Sequence, residues 1–325
     1  MKPAVFVSHP VPQTVRAYLE RHCNCVVWEG GKPVPRQIIL EGVRDAEGLL
    51  TVGGRIDEEL LAHGPKLRVV SNISVGYDNL DIPALRRRGV IATHTPGVLD
   101  DTVADLILAL MLSAARRVPE LDRYVKSGAW RKEDEENLFG IDIHHTTLGI
   151  IGMGRIGGAV ARRARRGFEM RVVYHNRRRK EALEQELGVE YCDVNTLLET
   201  SDFVLLMVPL TPDTVGFMGE AEFARMKPSA IFINASRGQT VDQEALVRAL
   251  EAGEIRGAGL DVYEREPLPG DSPLAAIPQV VTLPHIGSAT ARTRQAMAEL
   301  AAQNLVAALR GETPPNLVPE FADTT

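Results

Sequence analysis

Short apolar runs rich in Val, Ile and Leu alternate with amphipathic stretches almost from end to end of the chain. In the first third, Ala4–Ser8, Cys25–Trp28, Gly48–Val52, Leu67–Asn72 and Val90–Thr93 read as strands. Apolar positions at helical spacing fall between them, at Gln13–Arg21, Arg36–Arg44, Glu58–His63 and Ile82–Arg88. Strands alternating with helices imply βαβ units and a parallel sheet. After Thr95-Pro96-Gly97 a long helix is expected, with Asp101 or Thr102 as its N-cap. Val103, Leu106, Ile107, Leu110 and Met111 keep helical spacing toward Ala115. A further helical stretch reaches about Lys126, and Pro119 marks a kink or a break.

A polar loop, Gly128–Gly140, leads into a second βαβ series. Its strands are expected at Thr147–Ile151, Arg171–His175, Phe203–Val208, Ala230–Asn234, Gly259–Val262 and Val280–Leu283. The last helix runs from about Ala289 to Leu309, with Met297, Leu300, Ala301, Leu305 and Ala308 in one apolar stripe.

Composition narrows the classes. The 325 residues suit two domains, and 44% hydrophobic with 25% charged residues describes a globular chain. A net charge of -6 leaves no general basic face for nucleic acid. The longest apolar run, Leu106–Ala115, falls short of the roughly 18 residues of a membrane span. Met1–Pro10 lacks the pattern of a signal peptide. Cys23, Cys25 and Cys192 form no disulfide framework, and no Cys/His spacing matches a metal site. A cytoplasmic protein with reduced thiols, no metal and no membrane or nucleic-acid partner is expected.

Candidate chemistry begins at Gly152-Met153-Gly154-Arg155-Ile156-Gly157, which follows a strand and opens the helix Arg155–Arg166. In that context the three glycines serve a tight turn, the approach of a pyrophosphate to the helix N-terminus, and close helix–strand packing. At the end of the next strand, NAD sites usually carry an acid for the ribose 2′-hydroxyl. This chain reads His175-Asn176-Arg177-Arg178-Arg179-Lys180 instead. A cationic cluster there suits a 2′-phosphate, so NADPH is the expected cofactor, with NADH possible as a second. Arg179 and Lys180 are expected to be solvated.

Three further stretches follow strands: Asn234-Ala235-Ser236-Arg237-Gly238, Leu260-Asp261-Val262-Tyr263-Glu264-Arg265-Glu266-Pro267, and Leu283-Pro284-His285-Ile286-Gly287-Ser288. Each alone fits a surface arginine, an acidic loop or a structural histidine. Together, after a dinucleotide fingerprint, they are informative.

With these residues the chain resembles the D-isomer-specific 2-hydroxyacid dehydrogenases over essentially its full length. Gly149–Gly157, Asn234–Gly238, Gly257–Pro267, Pro284–Thr290 and Ser74-Val75-Gly76-Tyr77-Asp78-Asn79 carry the resemblance. Within the family it is most similar to 2-ketogluconate reductases and glyoxylate/hydroxypyruvate reductases, with Asp142–His145 and Tyr191–Asp193 contributing. The resemblance implies an α/β fold of two doubly wound parallel-sheet domains. A flavodoxin-like substrate domain would take residues 1–98 and 290–325, and a Rossmann dinucleotide domain residues 99–289. It places the catalytic residues on Arg237, Glu266 and His285. Glu264 is the nearby decoy, because the family's glutamate directly precedes the proline. The phosphate loop falls on Arg155 and Ile156 beside Gly152, Gly154 and Gly157. Asn176, Arg177 and Arg178 complete the cofactor set. Backbone N–H groups of Val75 and Gly76 would receive the substrate carboxylate together with Arg237, in a cleft between the domains.

The implied reaction is NADPH-dependent reduction of 2-oxo acids to D-2-hydroxy acids, first of all 2-ketogluconate to gluconate, with glyoxylate/hydroxypyruvate reductase activity beside it. His285 would donate a proton, with Glu266 orienting its ring and raising its pKa. The alternatives are a non-catalytic dinucleotide sensor on the same fold, or a family dehydrogenase for another acid such as phosphoglycerate. A homodimer is implied, in which Trp130 either reaches toward the partner's active site or anchors its own loop. His144 and His145 read as structural.

Overall fold

The computed structural model describes residues 1–31 and 33–324. The chain divides into two compact units, Met1–Leu99 with Ala289–Thr325, and Asp100–Ser288. Thr325, which ends the expected second segment of the first domain, lies outside the described residues.

The first unit carries five parallel strands: β1 (Ala4–Val7), β2 (Asn24–Val27), β3 (Gly48–Thr51), β4 (Val69–Asn72) and β5 (Ile91–Thr93). Their order is β2-β1-β3-β4-β5. Both faces of β3 and β4 are buried, as expected of strands covered by helices on either side. Helices Gln13–His22, Arg36–Gly42, Glu58–His63 and Ile82–Arg87 make the crossovers. Two of them start where an aspartate supplies the cap: Asp57 accepts from the Leu60 amide at 3.1 Å, and Asp81 from the Ala84 amide at 2.9 Å. The helix Ala291–Leu309 returns to this sheet, and the Ser71 hydroxyl donates to the Ala301 carbonyl at 2.8 Å.

The second unit holds seven parallel strands: β6 (Thr147–Ile151), β7 (Arg171–His175), β8 (Glu190–Tyr191), β9 (Phe203–Leu206), β10 (Ile231–Asn234), β11 (Gly257–Leu260) and β12 (Val280–Thr282). Their order is β8-β7-β6-β9-β10-β11-β12. The order reverses between β6 and β9, so the loops after these strands flank a crevice of the kind that binds ligands in open α/β sheets. Strand β8 is an edge strand of two residues, too short to register as a periodic run.

The helix expected after Gly97 begins at Asp100, so Asp101 and Thr102 lie inside its first turn and neither caps it. Carboxylates in a first turn still complement the positive end of the helix. It stops at Ala115, because Arg117 adopts a left-handed conformation with φ 54°. The break expected at Pro119 lies directly ahead of it, and the Ala115 carbonyl, which a proline cannot serve, accepts from the Ile141 amide at 2.9 Å. Pro119 sits in the first turn of a separate helix, Val118–Lys126, where its missing N–H is no loss.

Candidate active site

The turn after β6 explains its glycines one by one. Gly152 has φ +105°, and a Cβ there would stand 2.5 Å from the Met207 carbonyl oxygen. A Cβ on Gly157 would meet the Gly152 oxygen at 2.6 Å. Gly154 is different: its φ of -83° suits any residue, and a Cβ would touch nothing within 4 Å. No protein contact requires that glycine; it leaves open the approach to the helix Arg155–Phe168. That helix has no side-chain cap at Gly154, so its first-turn amides, including those of Arg155 and Ile156, face the opening. The Arg155 guanidinium lies 3.3 Å from Asp100. These features fit the pyrophosphate of a dinucleotide.

Asn176, at the end of β7, is engaged with this turn. Its Oδ1 accepts from the Met153 amide at 2.6 Å, and its Nδ2 donates to the Met153 carbonyl at 3.1 Å. Arg177 and Arg178 are exposed, and among the described residues neither forms an ion pair. Arg179 is exposed as well, and it is also engaged. It pairs with Glu184 at 2.5 Å and lies over the Tyr191 ring.

The structure brings Arg237, Glu266 and His285 together at the ends of β10, β11 and β12. The Asn234 side chain braces the first loop, accepting from the Ser236 amide and hydroxyl and donating to the Arg237 carbonyl. Gly238 lies hard against the next loop: a Cβ there would stand 1.8 Å from the Tyr263 carbonyl carbon. The Arg237 loop and the 263–266 turn are therefore packed backbone to backbone.

The His285 Nδ1 and Glu266 Oε2 atoms are 2.7 Å apart. The other carboxylate oxygen accepts from the Tyr263 amide at 3.1 Å. Burial pushes the Glu266 carboxyl up, but the His285 hydrogen bond and charge, the Tyr263 amide and the Arg237 charge together hold it below the usual range. Glu264, the decoy, is exposed.

Asp261 is the residue whose part the sequence did not reveal. It is buried, and it accepts from the amides of Ile286 (2.7 Å) and Gly287 (2.8 Å). Burial raises its pKa against the pull of those amides. It pins the chain just after His285, whose backbone is left-handed with φ 52°. The signal available was an acid directly following an apolar strand. Tyr263 adds a second tie, donating to the Leu283 carbonyl at 2.9 Å; burial pushes its hydroxyl up to about 12. A cavity of about 510 Å³ adjoins the pair, walled by Tyr263, Pro267, Leu268, Leu283 and Pro284.

Val75 and Gly76 lie in the other unit, in the turn after β4. Both are half-buried. The turn's carbonyls are bound from within, and among the described residues neither the Val75 nor the Gly76 amide donates a hydrogen bond. Both N–H groups are free for an anion. His144 and His145 sit on the surface near Asp142 and Glu169, and no cluster able to hold a metal occurs among the described residues.

Comparison with known proteins places the chain in a family. Residues 108–287 match the D-isomer specific 2-hydroxyacid dehydrogenase NAD binding domain. The chain is 50% identical over 318 residues to the glyoxylate/hydroxypyruvate reductase B of Erwinia tasmaniensis, covering 98% of this chain and 99% of that one. It is 49% identical over 320 residues to the glyoxylate reductase of Korarchaeum cryptofilum, covering 98% and 96%. Among solved structures, the NADPH-dependent glyoxylate/hydroxypyruvate reductase from Sinorhizobium meliloti, in complex with NADP and malonate, superimposes with a TM-score of 0.86. It shares 33% identity, with 98% of each chain covered. This chain belongs to the D-isomer specific 2-hydroxyacid dehydrogenases, nicotinamide-dinucleotide-dependent oxidoreductases acting on CH–OH groups.

Proposed function

We propose that this protein reduces short 2-oxo acids to D-2-hydroxy acids with NADPH. Glyoxylate and hydroxypyruvate are its first substrates, and 2-ketogluconate is accepted as well. The observation that carries this reading is the 2.7 Å contact between His285 and Glu266 on a loop packed beside Arg237.

Reduction places negative charge on the carbonyl oxygen. Arg237 pairs with the substrate carboxylate and stabilises that oxygen as charge grows. Glu266 accepts a hydrogen bond from the Nδ1–H of His285, and the imidazolium gives its Nε2 proton to the oxygen, leaving a neutral ring protonated on Nδ1. Asp261 keeps the histidine loop in place through two amides. The free amides of Val75 and Gly76 are the second set of carboxylate donors. When bound, the nicotinamide supplies the hydride. Residues 100–288 form the dinucleotide domain in this reading, and 1–99 with 289–325 the substrate domain.

The preference for NADPH rests on Arg177 and Arg178, two exposed guanidiniums without an ion pair among the described residues, at the position where an acid would repel a 2′-phosphate. A homodimer is supported by the exposed apolar side chains Val118, Val125, Trp130 and Phe139, which occupy one short stretch of chain. Three free cysteines fit a reducing, cytoplasmic setting.

The deciding experiment is steady-state kcat/KM for glyoxylate, hydroxypyruvate, 2-ketogluconate and pyruvate with each nicotinamide cofactor. Simple aldehydes and ketones without a carboxylate should be turned over negligibly. Comparable kcat/KM on such a ketone overturns the substrate class, and binding of NADPH without turnover of any 2-oxo acid makes the protein a sensor.

A further inference from the structure

The turn that presents Val75 and Gly76 is held from behind by one imidazole. His94, which follows β5, donates from Nδ1 to the Val75 carbonyl at 2.9 Å. A carbonyl can only accept, so Nδ1 carries the proton. The ring meets Tyr77 edge to face, with centroids 5.5 Å apart and an interplanar angle of 88°. His94 is itself 8% exposed and clamped by its backbone. Its amide donates to the Asn316 carbonyl at 3.2 Å, and its carbonyl accepts from Asn304 Nδ2 at 3.0 Å. Asn304 Oδ1 in turn accepts from the Asn316 amide at 3.0 Å. The ring is thus aimed by the helix Ala291–Leu309 and by the segment that follows it.

The neighbouring carbonyls are held the same way. The Thr95 amide donates to Ser74 O at 2.9 Å, and Ser74 Oγ and Asn72 Nδ2 both donate to Gly76 O. Three consecutive carbonyls point inward to donors. A peptide group is planar, so a carbonyl held inward turns the N–H of the same peptide outward. The Val75 carbonyl belongs to the peptide whose N–H is that of Gly76. His94 therefore sets the direction of the Gly76 amide through the Val75–Gly76 peptide.

We propose that His94 is a positioning residue for the substrate carboxylate, acting through the Val75–Gly76 peptide. The proposal rests on the reading that these amides bind the carboxylate, and the test separates the two. Losing one neutral hydrogen bond should weaken the anion site by about three- to tenfold.

His94→Phe removes the donor and keeps a ring against Tyr77; His94→Asn keeps a donor at the position of Nδ1. The expected result for His94→Phe is a three- to tenfold rise in KM for glyoxylate, with kcat and the NADPH Kd unchanged. His94→Asn should bring KM back to within about twofold. If the phenylalanine variant fails to fold, His94→Gln, which moves the donor by one carbon, takes its place with the same expectation. A second readout uses the amide 15N shifts of Val75 and Gly76 in the NADP complex on addition of oxalate. Both should move in the unmodified protein, and the Gly76 response should shrink in the variant. Oxalate shifts in the unmodified protein with KM unchanged in the variant overturn the inference about His94. So does a parallel loss of NADPH affinity, or an asparagine variant as impaired as the phenylalanine one. If oxalate moves neither amide in the unmodified protein, the carboxylate reading itself fails.

Discussion

Asn176 grips Met153 by both of its backbone polar groups, accepting from its amide at 2.6 Å and donating to its carbonyl at 3.1 Å. The asparagine side chain therefore ties the end of β7 to the glycine turn. The side chain shapes the turn, and discrimination of a 2′-phosphate is expected to rest on Arg177 and Arg178. Asn176→Ala should weaken NADPH and NADH binding by a similar factor, about three- to tenfold. Fluorescence titration of both cofactors reads this directly. A loss confined to NADPH would return Asn176 to phosphate recognition.

Removing both arginines should act on one cofactor only. The unmodified enzyme should favour NADPH by at least about tenfold in kcat/KM. Arg177→Ala with Arg178→Ala should abolish most of that preference through the KM for NADPH. Removal of Arg179 should matter less to the preference, because Glu184 already engages it. Equal use of the two cofactors by the unmodified enzyme would leave the basic cluster as a solvated helix start.

His285→Ala should lower kcat by roughly 10²–10⁴-fold, the usual cost of losing a general acid. The cofactor Kd should hardly change, since the glycine turn lies at the end of another strand. Wild-type kcat in this variant would show that the proton comes from elsewhere.

The Glu266 carboxyl is held below its ordinary range, so the unfolded chain binds its proton more readily than the folded one. Its contribution to stability is present above the unfolded pKa and is lost as pH falls through the lower folded value. Thermal melts of the unmodified protein and Glu266→Gln should differ most at neutral pH and converge under acid conditions. The kcat/KM of the unmodified enzyme should keep its dependence on an ionised Glu266 to below the usual carboxylate range. A melting difference independent of pH would contradict the assignment.

Gly238→Ala tests the packing that brings Arg237 beside the acid–base pair. A Cβ would overlap the Tyr263 backbone, at 1.8 Å, and neither loop can yield by rotating a side chain. Stability should fall by about 1–3 kcal/mol, the range for overpacked sites, and kcat should fall with it. Full activity at unchanged melting temperature would mean the two loops are not coupled.

Sequence alone determined the strand–helix alternation, the parallel sheets and the glycine turn, because these rest on spacings of a few residues. Apolar runs mark strands buried on both faces, and the positive φ of Gly152 and the close approach of Gly157 to Gly152 are local, although the packing of Gly152 on Met207 is not. Family resemblance added Arg237, Glu266 and His285; the structure sets His285 and Glu266 2.7 Å apart, with Arg237 on the loop packed against theirs. The partners of those residues were not legible. Asn176 and Met153 are 23 positions apart, His94 and Val75 are 19 apart, and Asp261 reaches amides 25 and 26 residues on. Such pairs depend on strand order and register, which set which loop ends meet at one edge of a sheet. Cap positions also escaped local pattern: the helix from Asp100 begins before its expected caps, and the left-handed turn at Arg117 shapes the break that Pro119 marks. Hydrophobic periodicity determines which residues go inside, whereas hydrogen-bond partners across the fold are decided only when the packed elements bring distant backbone groups together.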